Sequence, residues 1–547
     1  MTQGYLALIL HAHLPFVRHP DHSSFLEEEW LFEAITESYL PLISVLSHIA
    51  SDRVPCRLTL SISPTLAEML SDSLLQSRYL EYLQLRIELA GKEVSRTRNS
   101  PQFHVLARMY RDFFSRALHD YESTYSRNLL EAFRTLRQQG IVELVTCPAT
   151  HPFIPFVSRP EVRKAQLAVA LAAFQSHFGY RPRGVWLAEC GYEPGLDPLL
   201  QEFGLDFLVL DSHGVLLGMP PPKYGIYAPA LTPHGIAAFG RDMESSWQVW
   251  NLHGGYPGDA QYREFYRDLG HDADYDYIRP YLHEDGIRRN LGFKYYRITG
   301  KGDLRNREPY DRLSALTRAA EHANHFVSSR ESQIAALSAK LSRPPLVVSP
   351  YDAELFGHWW FEGPRFLDAV IRKVAMSVCN FQLVTLSDYL ETSPTFSFSL
   401  PSASSWGAEG YNRVWLNPDT QWLYRHQHWA EAQMVDLANR FPNAEGILRR
   451  ILNQAGRELL LAQSSDWAFG ISRRTFPLYA IRRFREHISR FQGLLEQVHN
   501  PQNGLSCLQE IEKRDNLFPK LDYRVFRSAS PSLVDSLGEG KQEAMPL

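Results

Sequence analysis

The chain has 547 residues, 44% of them hydrophobic and 22% charged, with a formal net charge of −4. That length exceeds one compact core and implies two or three structural units. The near balance of Lys+Arg 57 against Asp+Glu 61 excludes the basic surplus that nucleic acid or an anionic membrane would require.

Met1 to Gly4 lacks the basic start of a signal peptide, and no segment has the apolar length to span a bilayer. The five cysteines (Cys56, Cys147, Cys190, Cys379, Cys507) are odd in number and widely spaced, without a CxxC pair. They read as reduced thiols of a cytoplasmic protein.

In chain order, Tyr5–Leu10 is an apolar strand followed directly by His11-Ala12-His13-Leu14-Pro15-Phe16. A second strand, Arg57 to Ile62, ends in Ser63-Pro64. From Thr65 to Gln139 the apolar residues recur at helical spacing among Arg, Glu and Gln, which predicts a helical insertion over 65–139. Ile141–Val145 is a third strand leading to His151, and a helix from Pro160 to Phe178 follows, with Pro suited to its start. Gly184–Ala188 is a fourth strand, ending at Glu189; Asp206–Leu210 is a fifth, ending at Asp211. Ser246–Asn251 is expected as a sixth. A Pro/Gly/Tyr-rich stretch from 214 to 241 is too long for a tight turn and reads as a lid, with 212–245 as its bounds. The segment 254–302, dense in Tyr, Arg, Asp and Gly, behaves similarly. Pro345–Val348 is the seventh strand, and Gln382–Leu386 is expected as a short edge strand. After residue 400 the patterns are helical over Gln421–Arg440, Ala444–Ser464 and Phe476–His499. The expected organisation is therefore a catalytic unit over 1–400, an α-helical unit over 401–527 and a disordered tail over 528–547.

Alternating strands and helices predict a parallel α/β barrel, whose chemistry sits at the carboxyl ends of its strands. His11 and His13, His151, Glu189, Asp211, and Asp352 with Glu354 fall there in turn. Just past the seventh strand, Ser349-Pro350-Tyr351-Asp352-Ala353-Glu354 is followed within six residues by Trp359 and Trp360. Carboxylates beside indoles suit a sugar, whose C–H face stacks on aromatic rings while its hydroxyls bind carboxylates. Seven of the 11 tryptophans lie between residues 359 and 467, which marks that region for stacking. Glu189 and Asp352 make the pair suited to glycosidic chemistry with retention, one as nucleophile and one as acid/base. Glu193, Glu354 and Glu362 lie further from the strand ends.

The segments His11–Phe16, Trp186-Leu187-Ala188-Glu189-Cys190-Gly191-Tyr192 and Ser349–Glu354 resemble the signature regions of glycoside hydrolase family 57. The likeness extends through Glu143–His151 and Ser405-Trp406-Gly407 with Trp415-Leu416-Asn417. Within the family these forms are most similar to the 1,4-α-glucan branching enzymes. The resemblance implies a (β/α)7 barrel with an inserted helical domain and an α-helical C-terminal domain. It implies Glu189 as nucleophile, Asp352 as acid/base, and His11, His13 and His151 around the donor sugar. Trp406, Trp415 and Asp466 would contact glucan, Arg267 and Gly286 would be loop contacts, and Tyr224 or Tyr227 would be the lid tyrosine. The family's Gln shortly after Asp466 has no counterpart in Gly470–Thr475. The implied reaction transfers an α-1,4-glucan segment to a 6-hydroxyl in a glycogen-type glucan, in a monomer without cofactor or metal. An α-amylase or 4-α-glucanotransferase is the alternative.

Two rival readings remain. His11-x-His13 with His151 and Asp211 resembles the HxH zinc sites of barrel hydrolases. A silent glycan-binding protein would explain the tryptophans but gives no reason for two carboxylates at separate strand ends.

Overall fold

The computed structural model describes residues 3–251, 254–300, 302–376, 379–392 and 396–528. The expected tail from 529 onward lies outside them. Seven parallel strands form the centre: β1 (Gly4–Ala12), β2 (Leu58–Ile62), β3 (Val142–Val145), β4 (Gly184–Val185), β5 (Phe207–Leu210), β6 (Ala237–Gly240) and β7 (Leu346–Asp352). β1 pairs with β2 and β7, β2 with β3, β4 with β5, and β5 with β6. Two contacts close the ring. Trp186 N–H donates to Thr146 O at 2.8 Å, joining β4 to β3, and Asp242 N–H donates to Val348 O at 2.8 Å, joining β6 to β7. The result is the (β/α)7 barrel that the motifs implied.

The strands are apolar on both faces because both are covered. Ala7 and Ile9 of β1, Phe207 and Val209 of β5, Phe239 of β6 and Val348 of β7 fill the barrel interior. Leu6, Leu8 and Leu10 point outward into the helical layer. Phe381–Leu383 pairs with the start of β1, so the short edge strand exists one residue earlier than its pattern suggested.

The insertion is helical throughout its main elements, Pro64–Ser71, Ser73–Arg96, Pro101–His119 and Leu129–Gln138. Its starts follow capping chemistry: Ser63 accepts from Leu66 N–H, and Asp72 accepts from Leu74 and Leu75 N–H. After the barrel come helices Gln421–Arg440, Gly446–Ala462, Ser465–Ser472, Pro477–Gln497 and Leu505–Arg514. Leu459, Leu460 and Leu461 are buried, and Arg483 is buried too.

Two expectations are corrected. The sixth strand is Ala237–Gly240, and Met243–Trp250 is a helix whose start is capped by the Asp242 carboxylate. Of the apolar residues in 246–251, Val249 is buried in the helix packing while Trp247 and Trp250 are exposed, and the strand before them is only four small or aromatic residues long. The 212–245 stretch is not a lid over the catalytic end. Its first part descends from β5 to the barrel's amino end, where Leu346 N–H donates to Tyr227 O at 2.9 Å and the Tyr224 hydroxyl bonds Ser342 Oγ at 3.3 Å, and β6 then returns the chain to the carboxyl end at Arg241. Six residues of strand separate Leu346 from Asp352, which puts these tyrosines about 20 Å from the carboxylate at ~3.3 Å per residue.

The helix after β1 contains a π-helical turn, Ile35–Tyr39, packed against the loop after β7. Gly357 there has φ +118, and a Cβ on it would meet Glu37 O at 1.7 Å. Only glycine fits such an approach. Gly357→Ala should therefore cost about 1–3 kcal/mol or more, seen as a lower denaturant midpoint with an unchanged m-value, and should also lower activity because the loop carries Glu354 and Trp359.

Candidate active site

The carboxyl ends of the strands open on a cavity of about 450 Å³ lined by His11, His13, His151, Glu189, Arg241, Trp250, Asp352, Glu354, Trp406, Asp466 and Phe469. A second chamber of about 420 Å³ shares His13, Asp352, Glu354, Asp466 and Phe469 with it. Asp352 thus stands at the junction, and Glu189 belongs to the first chamber alone.

Glu189 follows the two-residue β4 in a left-handed conformation, φ 60 and ψ 21, and Cys190 has φ 50. Non-glycine residues take this region at a cost and do so mainly where surrounding contacts over-determine them. Those contacts come from the C-terminal part of the chain. Trp406 Nε1–H donates to Glu189 Oε2 at 2.7 Å, and Ser465 Oγ–H donates to Oε1 at 3.2 Å. The Trp406 backbone N–H also donates to Glu189 O at 2.9 Å. Asp352 ends β7 in register with His11 of β1, so strand pairing itself brings histidine and carboxylate side by side.

The three histidines form one stack. His11 Nε2 lies 3.1 Å from His151 Nε2 and its Nδ1 3.1 Å from Ser61 Oγ. His13 Nδ1 meets Ser63 Oγ at 2.9 Å and its Nε2 meets Asp466 Oδ2 at 3.0 Å. The His13 and His151 ring centroids are 3.7 Å apart, and His151 Nδ1 meets Ser465 Oγ at 2.9 Å. Ser465 therefore bridges a histidine and the carboxylate of Glu189.

Electrostatics separate the two carboxylates. Burial pushes Glu189 up to about 7, against the hydrogen bonds from Trp406 and Ser465 that favour its ionised form. Asp352 lies well above the ordinary carboxyl range because it is buried beside the charges of Glu354 and Glu189, with Arg241 opposing. Burial holds His11 and His151 well below the usual imidazole value. Burial would raise Asp466 too, but His13 beside it brings its carboxyl down to about 2. Both carboxyls are raised by burial, but only Glu189 has donors that favour its ionised form, and an unequal pair of this kind is what acid-assisted displacement needs.

The other sequence-derived residues divide by position. Trp359, 53% exposed, lines the second chamber. Trp360 is 1% exposed and packs on Tyr262 and Phe366 in the core. Trp415 is also 1% exposed, stacked on Phe153 at 4.5 Å behind the cleft. Neither ring reaches the described chambers. Arg267 turns aside to Asp272, the carbonyls of Leu304 and Arg305, and the Tyr296 ring, and Gly286 receives the Tyr275 hydroxyl on its carbonyl. Both lie outside the two chamber walls, where Gly292 and Phe265 of the same segment stand instead. Of the rival carboxylates, Glu193 pairs with Arg163, and Glu362 accepts from Tyr310 and Arg263 N–H. Glu354 takes the His13 N–H at 3.2 Å and the Tyr39 hydroxyl. Asp211 pairs with Arg241 at 2.7 Å.

Sequence reasoning missed Arg241, Trp250, Phe469 and Ser465. Arg241 directly follows β6, so its signal was lost with that strand. Ser465 is adjacent to Asp466 and carries no signal without the contact to Glu189. Among the described residues, His13, His151 and Asp466 present ligand atoms within 4.8 Å of one another, as do Glu458, His487 and Asp515. The first group is the one that could take a cation, but its nitrogen atoms are already engaged by Ser63, Asp466, Ser465 and His11. The second has Arg490 and Arg483 against its acids.

A seven-stranded barrel with two buried carboxyls and an aromatic cleft at its strand ends is the layout of a carbohydrate-active enzyme. The chain belongs to glycosyl hydrolase family 57, which it matches over residues 7–399. Residues 426–526 match the region described as 1,4-alpha-glucan branching enzyme, C-terminal. A 1,4-alpha-glucan branching enzyme of Thermococcus kodakarensis is 32% identical, covering 98% of this chain and 80% of that protein. Among solved structures, an alpha-amylase AmyC of Thermotoga maritima is 43% identical with a TM-score of 0.91, covering 97% of this chain and all of the other. A branching enzyme of the family from Pyrococcus horikoshii is 31% identical with a TM-score of 0.87, over 97% and 98%.

The two pKa positions predict a bell-shaped profile of kcat/KM. The acid limb falls as Glu189 gains a proton near pH 7, and the alkaline limb falls as Asp352 loses one. Trp406→Phe removes a donor that favours ionised Glu189, so its acid limb should move to higher pH by about one to two units; an acid limb that stays in place would refute the role given to that hydrogen bond.

Proposed function

We propose that this chain is a 1,4-α-glucan branching enzyme (EC 2.4.1.18 type) acting by retaining double displacement, with Glu189 as nucleophile and Asp352 as acid/base. The observation that carries the assignment is the sharing of Asp352 between two chambers while Glu189 faces only one. An acid/base must reach the glycosidic oxygen, which lies between the donor sugar and the leaving chain, whereas a nucleophile must reach the anomeric carbon alone.

In the first step Glu189 attacks C1 of the donor glucose in the first chamber. Asp352 gives its proton to the glycosidic oxygen as the C1–O bond breaks, and the severed chain leaves through the second chamber. In the second step a 6-hydroxyl of another glucan enters beside Asp352, which takes its proton as the oxygen attacks C1. The ester breaks and the Glu189 carboxylate is restored. His11, His13 and His151 hold the donor's hydroxyl edge, with Asp466 fixing His13. Trp406, Trp250 and Phe469 wall the ester from water.

The names of the branching-enzyme relatives and the match at 426–526 support transfer. Net hydrolysis is the second reading, favoured by the 43% likeness to a protein titled alpha-amylase. The division into a barrel unit over 1–400 and a helical unit over 401–527 is part of the same reading, supported by the two family matches. We further place the enzyme in the cytoplasm, acting on a glycogen-type polysaccharide as a monomer. Its five free thiols and the derivation of every site group from one chain support this. No described helix is long and apolar enough to cross a membrane.

Proton NMR after incubation with amylose should show new α-1,6 linkages; new reducing ends without them would shift the assignment to hydrolysis. Asp352→Asn should lose about 10²–10⁴-fold on amylose yet still release fluoride from an α-maltosyl fluoride, whose leaving group needs no proton. Glu189→Gln should fail on both substrates. The reverse pattern would exchange the two roles.

A further inference from the structure

Asp211 follows the end of β5 directly, as Glu189 follows its own short strand, yet it stands outside both chamber walls. Its partner Arg241 does line the first chamber, together with Glu189 and Asp352. Among the described residues of that wall, Arg241 is the one permanent cation. Its guanidinium carbon lies 5.8 Å from the centre of the Trp406 ring, the indole that donates to Glu189. One arm of the fork meets Asp211 Oδ2 at 2.7 Å, while Nε is buried without a hydrogen-bond partner among the described residues. An arginine placed only to hold the fold would have its fork satisfied, because a buried unpaired donor is costly.

Asp211 is braced from its other side. Its Oδ1 accepts from the Ser212 hydroxyl at 3.0 Å and faces His213 Nδ1 at 3.1 Å. His213 Nε2 meets Gly410 O at 2.6 Å, and the same carbonyl accepts from Ser405 N–H at 2.9 Å, one residue before Trp406. Both carboxylate oxygens are thus engaged, and the ion pair is fixed to the loop that carries the indole.

These charges share one neighbourhood with the two candidate catalytic carboxyls. The Cys190 thiol is pushed well up by burial, with Arg241 opposing and Asp211, Glu189 and Asp352 adding to the rise. Around Asp352 stand Glu354, Glu189 and Arg241, with Tyr39 bonded to Glu354 and His11 in register on β1. Arg241 is the cation of that set. An acid/base has to begin each cycle protonated, and an uncompensated guanidinium within reach would ionise it.

We infer that Asp211 is a positioning residue for the reaction: it holds the Arg241 guanidinium against Trp406 and offsets its charge, so that Asp352 keeps its proton until the glycosidic oxygen takes it. The inference rests on Asp352 as acid/base and adds the ion pair that controls when its proton leaves.

The test is the alkaline limb of kcat/KM for amylose. Asp211→Asn, nearly isosteric and able to keep the Ser212 bond, leaves Arg241 uncompensated, and the limb should move to lower pH by about one unit. Arg241→Gln removes the cation and leaves the Asp211 charge, and the limb should move to higher pH by about one unit. Each protein is also assayed on α-maltosyl fluoride, whose leaving group needs no proton. Its kcat/KM should lack the alkaline limb and reports that the variant is folded and forms the ester. Opposite shifts on amylose support the inference, because lost packing alone lowers kcat/KM without a direction that follows charge. A limb within about 0.3 unit of the parent in either variant, or shifts of one sign in both, would overturn it. A parent whose fluoride profile falls at the same alkaline pH as its amylose profile would instead overturn Asp352 as the acid.

Discussion

Glu189 is held by two donors that the barrel does not supply. The indole of Trp406 and the hydroxyl of Ser465 both reach back from the C-terminal part of the chain to its carboxylate. The barrel alone would leave this carboxyl buried in a left-handed kink with little to favour its charge. With the two donors in place, the group lies near neutrality and remains able to ionise. The C-terminal part of the chain therefore contributes directly to the candidate site. Ser465 N–H also donates to His151 O at 2.9 Å, and Pro152 pairs with Ser464, so the same join fixes the histidine stack.

Charge is distributed around that join with a consistent logic. The ring nitrogens of the three histidines are engaged by hydroxyls, by another histidine or by Asp466, which fits the rule that buried polar groups find partners. Asp352 receives the opposite treatment: it sits between two other acids with only Arg241 opposing, an arrangement that favours its protonated form. In the proposed assignment the first chamber thus keeps one carboxyl for attack, and its boundary with the second keeps another to give a proton.

The sequence disclosed the parts of this arrangement that are local. Strand runs such as Tyr5–Leu10, the helix Pro160–Phe178 and the carboxylates at strand ends are visible because burial on both faces, capping and titratable residues leave signals within a few positions. Trp406 was legible through its motif. What stayed hidden was contact between distant segments. Ala237–Gly240 is too short and small to announce a strand, and with it went Arg241. Trp360 and Trp415 carry the same side chain as Trp359 and Trp406, and only packing tells a core indole from a chamber wall. Tyr224 and Tyr227 sit in a loop of lid-like composition, yet the chain's path takes them to the barrel's amino end.

The most direct test of the central claim is to trap the ester. A 5-fluoro α-glucosyl fluoride should form a slowly hydrolysed adduct, and mass spectrometry of proteolytic peptides would locate it. The account predicts the label on Glu189, formed more slowly in Ser465→Ala at neutral pH because fewer carboxyls are ionised. A label on Asp352, or labelling of Glu189 at the same rate in that variant, would contradict it.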